Sequence, residues 1–222
     1  GLVADDEVRL HSQSAGDADT LALTAGELVS VTSCVLTVKT DVLHKLEHLF
    51  TSFLGSSEEA AKAIANIKRD AASMPFGASE LIEANQMLIT TGMSAEEARE
   101  NINALAAAVA ATGGGNAELS RMAQNLQQIK NTGKATSVDI KQFANAGINI
   151  FGLLSDYAQA TGQDVEDLDY TYENLTAALK MSTEEGGRYY GAMEKQAETY
   201  NGQLNSLKAN IQDALGTTFQ SV

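Results

Sequence analysis

From residue 56 onward the apolar positions recur at helical spacing, interrupted by serine, threonine, asparagine and glycine where helices start and stop. Ser56 followed by Glu59 has the form of a capping box, in which the serine accepts a bond from an orphan amide and the glutamate reaches back to the cap amide. The helix it opens carries Ala60, Ala61, Ile64, Ile67 and Ala71 inward and ends before Pro75, whose ring pushes the preceding residue out of helical geometry. A second helix is expected from Ser79 to about Thr91, with Gly92 as its left-handed stop. Ser94 and Glu97 repeat the box ahead of Ala98, Ile102, Leu105 and Val109, and Gly113, Gly114 and Gly115 follow. Asn116 is expected to cap the next helix, whose stripe of Leu119, Met122, Ala123, Leu126 and Ile129 ends near Gly133. Thr136 with Asp139 marks another start, Gly147 another stop, and Ile148 to Thr161 a further helix closed by Gly162. An acidic stretch from Asp164 to Glu173 suits the first turns of helices, where the dipole favours negative charge. One proline, eighteen glycines at the joints and little β-branched alternation leave scant room for a sheet. The pattern predicts an all-α, multi-helix globular domain.

The last segment has a different period. Met193, Ala197, Tyr200, Leu204, Leu207 and Ile211 alternate spacings of four and three, a heptad-like seam on a long C-terminal helix expected from about Gly187 to Leu215. A seam of this length either packs back on its own domain or continues into a longer rod or against another copy, and these six residues are the candidate partner-packing positions. Residues 1–48 read differently again. They mix acidic polar stretches with the run LALTAGELVSVTSCVLTVKT, which alternates too weakly to choose between strand and helix. The expected organisation is an N-terminal extension, 1–48, poorly packed on a helical domain, 49–222.

Composition narrows the class. The chain has 222 residues, 44% of them hydrophobic, enough for a real core. Its formal charge of −14 opposes binding to a phosphate backbone, so direct nucleic-acid binding is not expected. Cys34 is the single cysteine and reads as a buried thiol, without a disulfide partner. The longest uncharged stretch, Asn101 to Ala117, contains asparagines, a threonine and three glycines, and falls short of the ~20 apolar residues a membrane span requires. Asp5, Asp6 and Glu7 stand where a secretory signal carries basic residues, so a cytoplasmic origin is expected.

Candidate chemistry is sparse. All three histidines, His11, His44 and His48, lie in the first fifth of the chain. HKLEH, residues 44–48, has the H-x-x-E-H order of inverted zinc peptidases, with His44 and His48 on one helix face and Glu47 beside them. Asp41-Val42-Leu43 replace the small residues those enzymes carry before the first histidine, and the chain lacks their β-rich halves. The expected arrangement is a wet face bearing the polar trio, with Val42, Leu43, Leu46 and Leu49 packing inward. TGKATS, residues 132–137, fails as a phosphate loop twice, at Gln128 and at Ala135. The three consecutive glycines follow a helix and suggest a flexible hinge, Asn174-Leu175-Thr176 is a chance glycosylation tripeptide, and Gly187 with Gly191 suggests close helix packing. No catalytic, cofactor or metal site is expected.

Three ordered blocks resemble the N-terminal conserved domain of bacteriophage and prophage tail tape measure proteins, over about residues 50–215. They are FTSFLGSSEEAAKAIANIKRDAASMPFGASEL (50–81), IKNTGKATSVDIKQFANAGINIFGLL (129–154) and STEEGGRYYGAMEKQAETYNGQLNSLKANI (182–211). The first is a helix, a Pro-Phe turn and a second helix. In the second, Asn149 stands where the family often has proline, which suggests a less rigid turn; in the third, Tyr189 and Tyr190 would anchor the chain while Gly191 lets a neighbour approach. The resemblance implies a noncatalytic structural role in setting tail length, within the phage tail and assembled in the bacterial cytoplasm. It also implies self-association and contacts with the tail tube protein and tail-tip or baseplate components. The resemblance implies the conserved globular region near the start of such a protein, and a chain of 222 residues, even wholly helical, reaches only ~330 Å and is not expected to measure a full tail by itself. The competing readings are a zinc peptidase on His44, Glu47 and His48, and a generic helical adaptor of a mobile element.

Overall fold

The computed structural model describes residues 45–166 and 168–199. Among these residues the regular structure is nine helices: α1 (45–54), α2 (Ser57–Ala71), α3 (Ala78–Ile89), α4 (Ala95–Ala111), α5 (Asn116–Thr132), α6 (Ser137–Asn145), α7 (Ile150–Thr161), α8 (Tyr172–Thr183) and α9 (192–199). No strand occurs among them, and the one extended pairing is an isolated antiparallel bridge between Lys134 and Thr171. None of the described helices is long and apolar enough to cross a membrane.

The helix starts obey local capping chemistry. Ser56 and Ser94 each accept the amide of the residue three positions on, Glu59 and Glu97, at 3.3 Å. Thr136 and Asp139 form the reciprocal box, with the Thr136 amide donating to Asp139 Oδ2 at 2.7 Å. Helix α5 departs from expectation: Gly115, not Asn116, is its N-cap, and only the glutamate half of a box exists, the Gly115 amide donating to Glu118 Oε2 at 3.1 Å. Asn116 is drawn elsewhere, because its Oδ1 accepts the amide of Gly77, 39 residues away, and so ties the start of α5 to the turn before α3. Helix α7 begins at Ile150, two residues later than expected, since Asn149 caps it by accepting the Gly152 amide at 3.1 Å. The Asn149 side chain thus holds this turn through a hydrogen bond. The acidic residues Asp164, Glu166 and Asp169 lie in a loop, and α8 waits for Thr171, whose hydroxyl accepts the Asn174 amide.

Helix α4 is the hub. It packs against α2, α3, α5 and α8, while α3 also packs against α2 and α5, and α7 against α6 and α8. The expected stripe of Ala98, Ile102, Leu105 and Val109 is buried, yet every residue from Ala104 to Ala110 is buried as well. A helix apolar on all sides belongs at the centre, and the small alanine side chains let its neighbours come close on each face. The described core runs without a break from Leu46 and Phe50 to Leu179 and Tyr189.

The long C-terminal helix is corrected at its start. Gly187 is not helical; residues 184–191 form a turn, and α9 begins at 192, after Gly191 with φ +68°. The remainder of the expected helix lies outside the described residues.

Candidate interaction site

The turn between α8 and α9 is a strap clamped along its first half. Amides of Gly187 and Tyr189 donate to the carbonyls of Glu184 (2.8 Å) and Ser182 (2.7 Å), and the Arg188 guanidinium pairs with Asp156 on α7 at 2.8 Å. Gly187 lies so close to the end of α8 that a Cβ on it would come within 2.4 Å of the Ser182 carbonyl oxygen, so this glycine is required by close approach. Tyr189 is buried, and burial pushes its hydroxyl above the ordinary range against a lowering bond from the Asn149 backbone. Tyr190, beside it, is 58% exposed, so of the expected anchoring pair only Tyr189 anchors. Gly191 corrects the close-packing expectation. A Cβ there would meet open space, and what its positive φ requires is a residue tolerant of left-handed geometry.

Beyond Gly191, α9 runs from beside Ala107 and Thr183 to the Met74–Gly77 turn, bordering a groove of about 410 Å³ that is floored by Phe76 and the three glycines. Ala192 and Met193 are half-buried against the core, and the Gln196 side-chain amide donates to the Gly114 carbonyl at 3.2 Å. Of the six seam residues, Met193 and Ala197 are described, both half-buried; Tyr200, Leu204, Leu207 and Ile211 lie outside the described residues. The glycine run is a bonded joint and not the flexible hinge expected. Gly113 and Gly114 amides close the end of α4 on Ala110 and Val109 carbonyls at 3.0 and 2.9 Å, and a Cβ on Gly114 would stand 2.7 Å from Val109 Cγ1.

Carboxylates occupy the helix starts at this groove. Glu118 is held below the usual carboxylate range, first by the Gly115 amide and then by its own. Glu80 folds over Gly77, where a Cβ would lie 2.0 Å from Glu80 Oε2. Such filled N-termini do not offer an anion site.

The other sequence candidates resolve into structure. Glu47 and His48 are exposed on α1 while Leu46 and Phe50 are buried and Leu49 is half-buried, the wet-face arrangement expected; Val42, Leu43 and His44 lie outside the described residues. No group of three His, Cys, Asp or Glu side chains among the described residues is placed to hold a metal ion. Within TGKATS, the Ala135 amide donates to the Tyr170 carbonyl at 2.8 Å and Gly133 O accepts the Tyr172 amide at 3.2 Å, so the segment stitches α5 to α8. Asn174 donates to the Asp169 carbonyl and Thr176 is buried, so the glycosylation tripeptide is built into a helix.

Two polar clusters had no sequence signature. Asn101 on α4 donates to the Tyr172 hydroxyl on α8 at 2.9 Å, and that hydroxyl lies 3.6 Å from Met93 Sδ; burial drives the Tyr172 pKa well above its ordinary value, against the Asn101 bond. Lys130 sits 4.5 Å over the same ring, a cation–π contact at its edge with solvent. Arg99 on α4 grips Asp70 on α2 with bonds of 2.6 and 3.3 Å, and Asn103 adds a third at 2.9 Å. Burial raises the Asp70 pKa, but these bonds and the Arg99 charge outweigh it and the net direction is down. Partners 29 to 71 residues apart in the chain are invisible to a local pattern.

Comparison with protein-family models, with curated proteins and with solved structures finds no match to this chain.

Proposed function

We propose that this chain is a noncatalytic helical assembly module of the tape-measure type, working through self-association and through contacts with tail tube and tail-tip or baseplate proteins. The observation that carries the reading is the correspondence between the resembling blocks and the folded elements. Residues 50–81 run from the end of α1 through α2 and the Pro75–Phe76 turn into α3, in the order the resemblance implies. Residues 129–154 span the end of α5, α6 and the first turns of α7, and the third block begins with the clamped strap and leads into α9. Surface chemistry supports the same reading. Phe151 is 54% exposed and meets Tyr170 edge-on at a ring separation of 6.0 Å, while Tyr190 projects beside α9, and exposed aromatics of this kind suit protein contacts.

Sedimentation velocity over a wide concentration range tests the proposal. Concentration-dependent oligomers are expected, and a compact monomer at every concentration would contradict it. The zinc-peptidase alternative is tested separately by metal analysis of protein purified without chelator. Stoichiometric zinc that disappears in His48→Ala would replace the assembly reading with the enzymatic one.

A further inference from the structure

Helix α9 is attached in an unusual way: the strap before it is fixed, the joint at its start is open, and its hold on the rest of the described residues is light. The fixed part ends at Tyr189, buried and hydrogen-bonded back to Ser182. The joint is Gly191, whose φ of +68° disfavours any other residue although nothing within 4 Å would obstruct a side chain. Among the described residues the hold includes half-buried Ala192, Met193 and Ala197 and the bond from Gln196 to Gly114 O. Closing α9 onto its own groove therefore requires one residue in the left-handed region, and turning Gly191 to an ordinary extended or helical φ would swing α9 away without disturbing the strap.

From this geometry we infer that residues 192–199 exchange between two copies of the chain, each α9 taking the other's place beside Gly114, where it borders the groove lined by the Met74–Gly77 turn. The seat that α9 takes on its own chain is Met193 against the core and Gln196 on the Gly114 carbonyl, and a second copy's α9 carries the same two side chains to the same partners. Exchange of an identical element creates a two-fold pair without a new surface, at the cost of concentration and of charge repulsion. Each chain carries −14, so the exchanged dimer is favoured as ionic strength rises and screening shortens the reach of that repulsion. This inference deepens the self-association part of the proposed function and rests on it.

The test uses the full chain. Gly191→Ala penalises the closed monomer twice per dimer formed, so light scattering after size exclusion should show a dimer dissociation constant lowered at least ~tenfold. Gly133→Ala is the control, because Gly133 also has a positive φ with open space but closes α5, far along the chain from the joint. It should leave the dimer constant unchanged. In a mixture of isotopically light and heavy protein, a photoreactive phenylalanine at Thr199 should cross-link to residues 74–77 as mixed light–heavy pairs. An unchanged dimer constant in Gly191→Ala, an equal shift in Gly133→Ala, or cross-links confined to one copy would each overturn the exchange. Should Gly191→Ala fail to fold, the cross-linking arm decides on its own. Dimers whose cross-links stay within one copy would sink the exchange and leave self-association standing, whereas a monomer at every concentration would remove both.

Discussion

Helix α9 starts across a small cavity from Ala107 of α4, yet the two helices are held by opposite means. Helix α4 is capped by Ser94, closed at its far end by Gly113 and Gly114, and buried on every side from Ala104 to Ala110. Helix α9 starts from an open glycine, half-buries Ala192 and Met193, and reaches Gly114 O through Gln196. The first cannot leave without exposing the core. The second is held by half-buried side chains and one hydrogen bond, and in the exchange inferred above it leaves by rotation at Gly191. Under the proposed assembly role this division has a use: burial at the hub keeps the scaffold fixed, and a lightly held element at its edge would be available to a partner.

That contrast can be broken from the inside outward. The largest effect belongs to Leu105→Ala, which hollows the hub where its side chain is fully buried and should cost about 2–5 kcal/mol in urea denaturation. Next is Tyr172→Phe, which removes the hydroxyl that accepts from Asn101 in the α4–α8 interface; about 1–3 kcal/mol should be lost, and replacing both polar residues with apolar ones should cost less than that single change implies.

Arg99→Met sharpens the comparison through pH. Because Asp70 is held below its unfolded value of 3.8, the ion pair contributes fully above that value and is lost as pH falls through the lower folded value. The variant should be less stable than the parent by about 1–2 kcal/mol at pH 7, with the gap closing in acid as pH falls below 3.8 and through the lower folded value. A gap that persists in acid would mean the arginine acts by packing its stem. The smallest effect is expected of Met193→Ala, under ~1 kcal/mol in global unfolding, since the helix it anchors opens without the rest.

What the sequence disclosed followed the range of the forces involved. Caps at Ser56, Ser94 and Thr136, and the stops at Gly133 and Gly162, are decided within four residues, and each stands where the pattern places it. Asn116 was misread because a tertiary bond to Gly77 outbids its local capping role. The hub was half legible: the uncharged stretch from Asn101 to Ala117, too short and too polar for a membrane span, carries the mark of a helix with neighbours on every side. Gly187 and Gly191 share a spacing but not a reason, one pressed against carbonyls and the other bent to positive φ, and a spacing alone cannot separate them. The Asn101–Tyr172 pair joins positions 71 apart, so only the assembled fold brings it together.

Native-state amide exchange, followed residue by residue under sub-denaturing urea, tests the contrast between hub and edge most directly. Amides of residues 104–110 should exchange only through global unfolding, with a strong urea dependence, while those of 196–199 should exchange through a smaller opening nearly independent of urea. Equal protection and equal urea dependence in the two helices would show that α9 is part of the same cooperative unit, and would contradict the account.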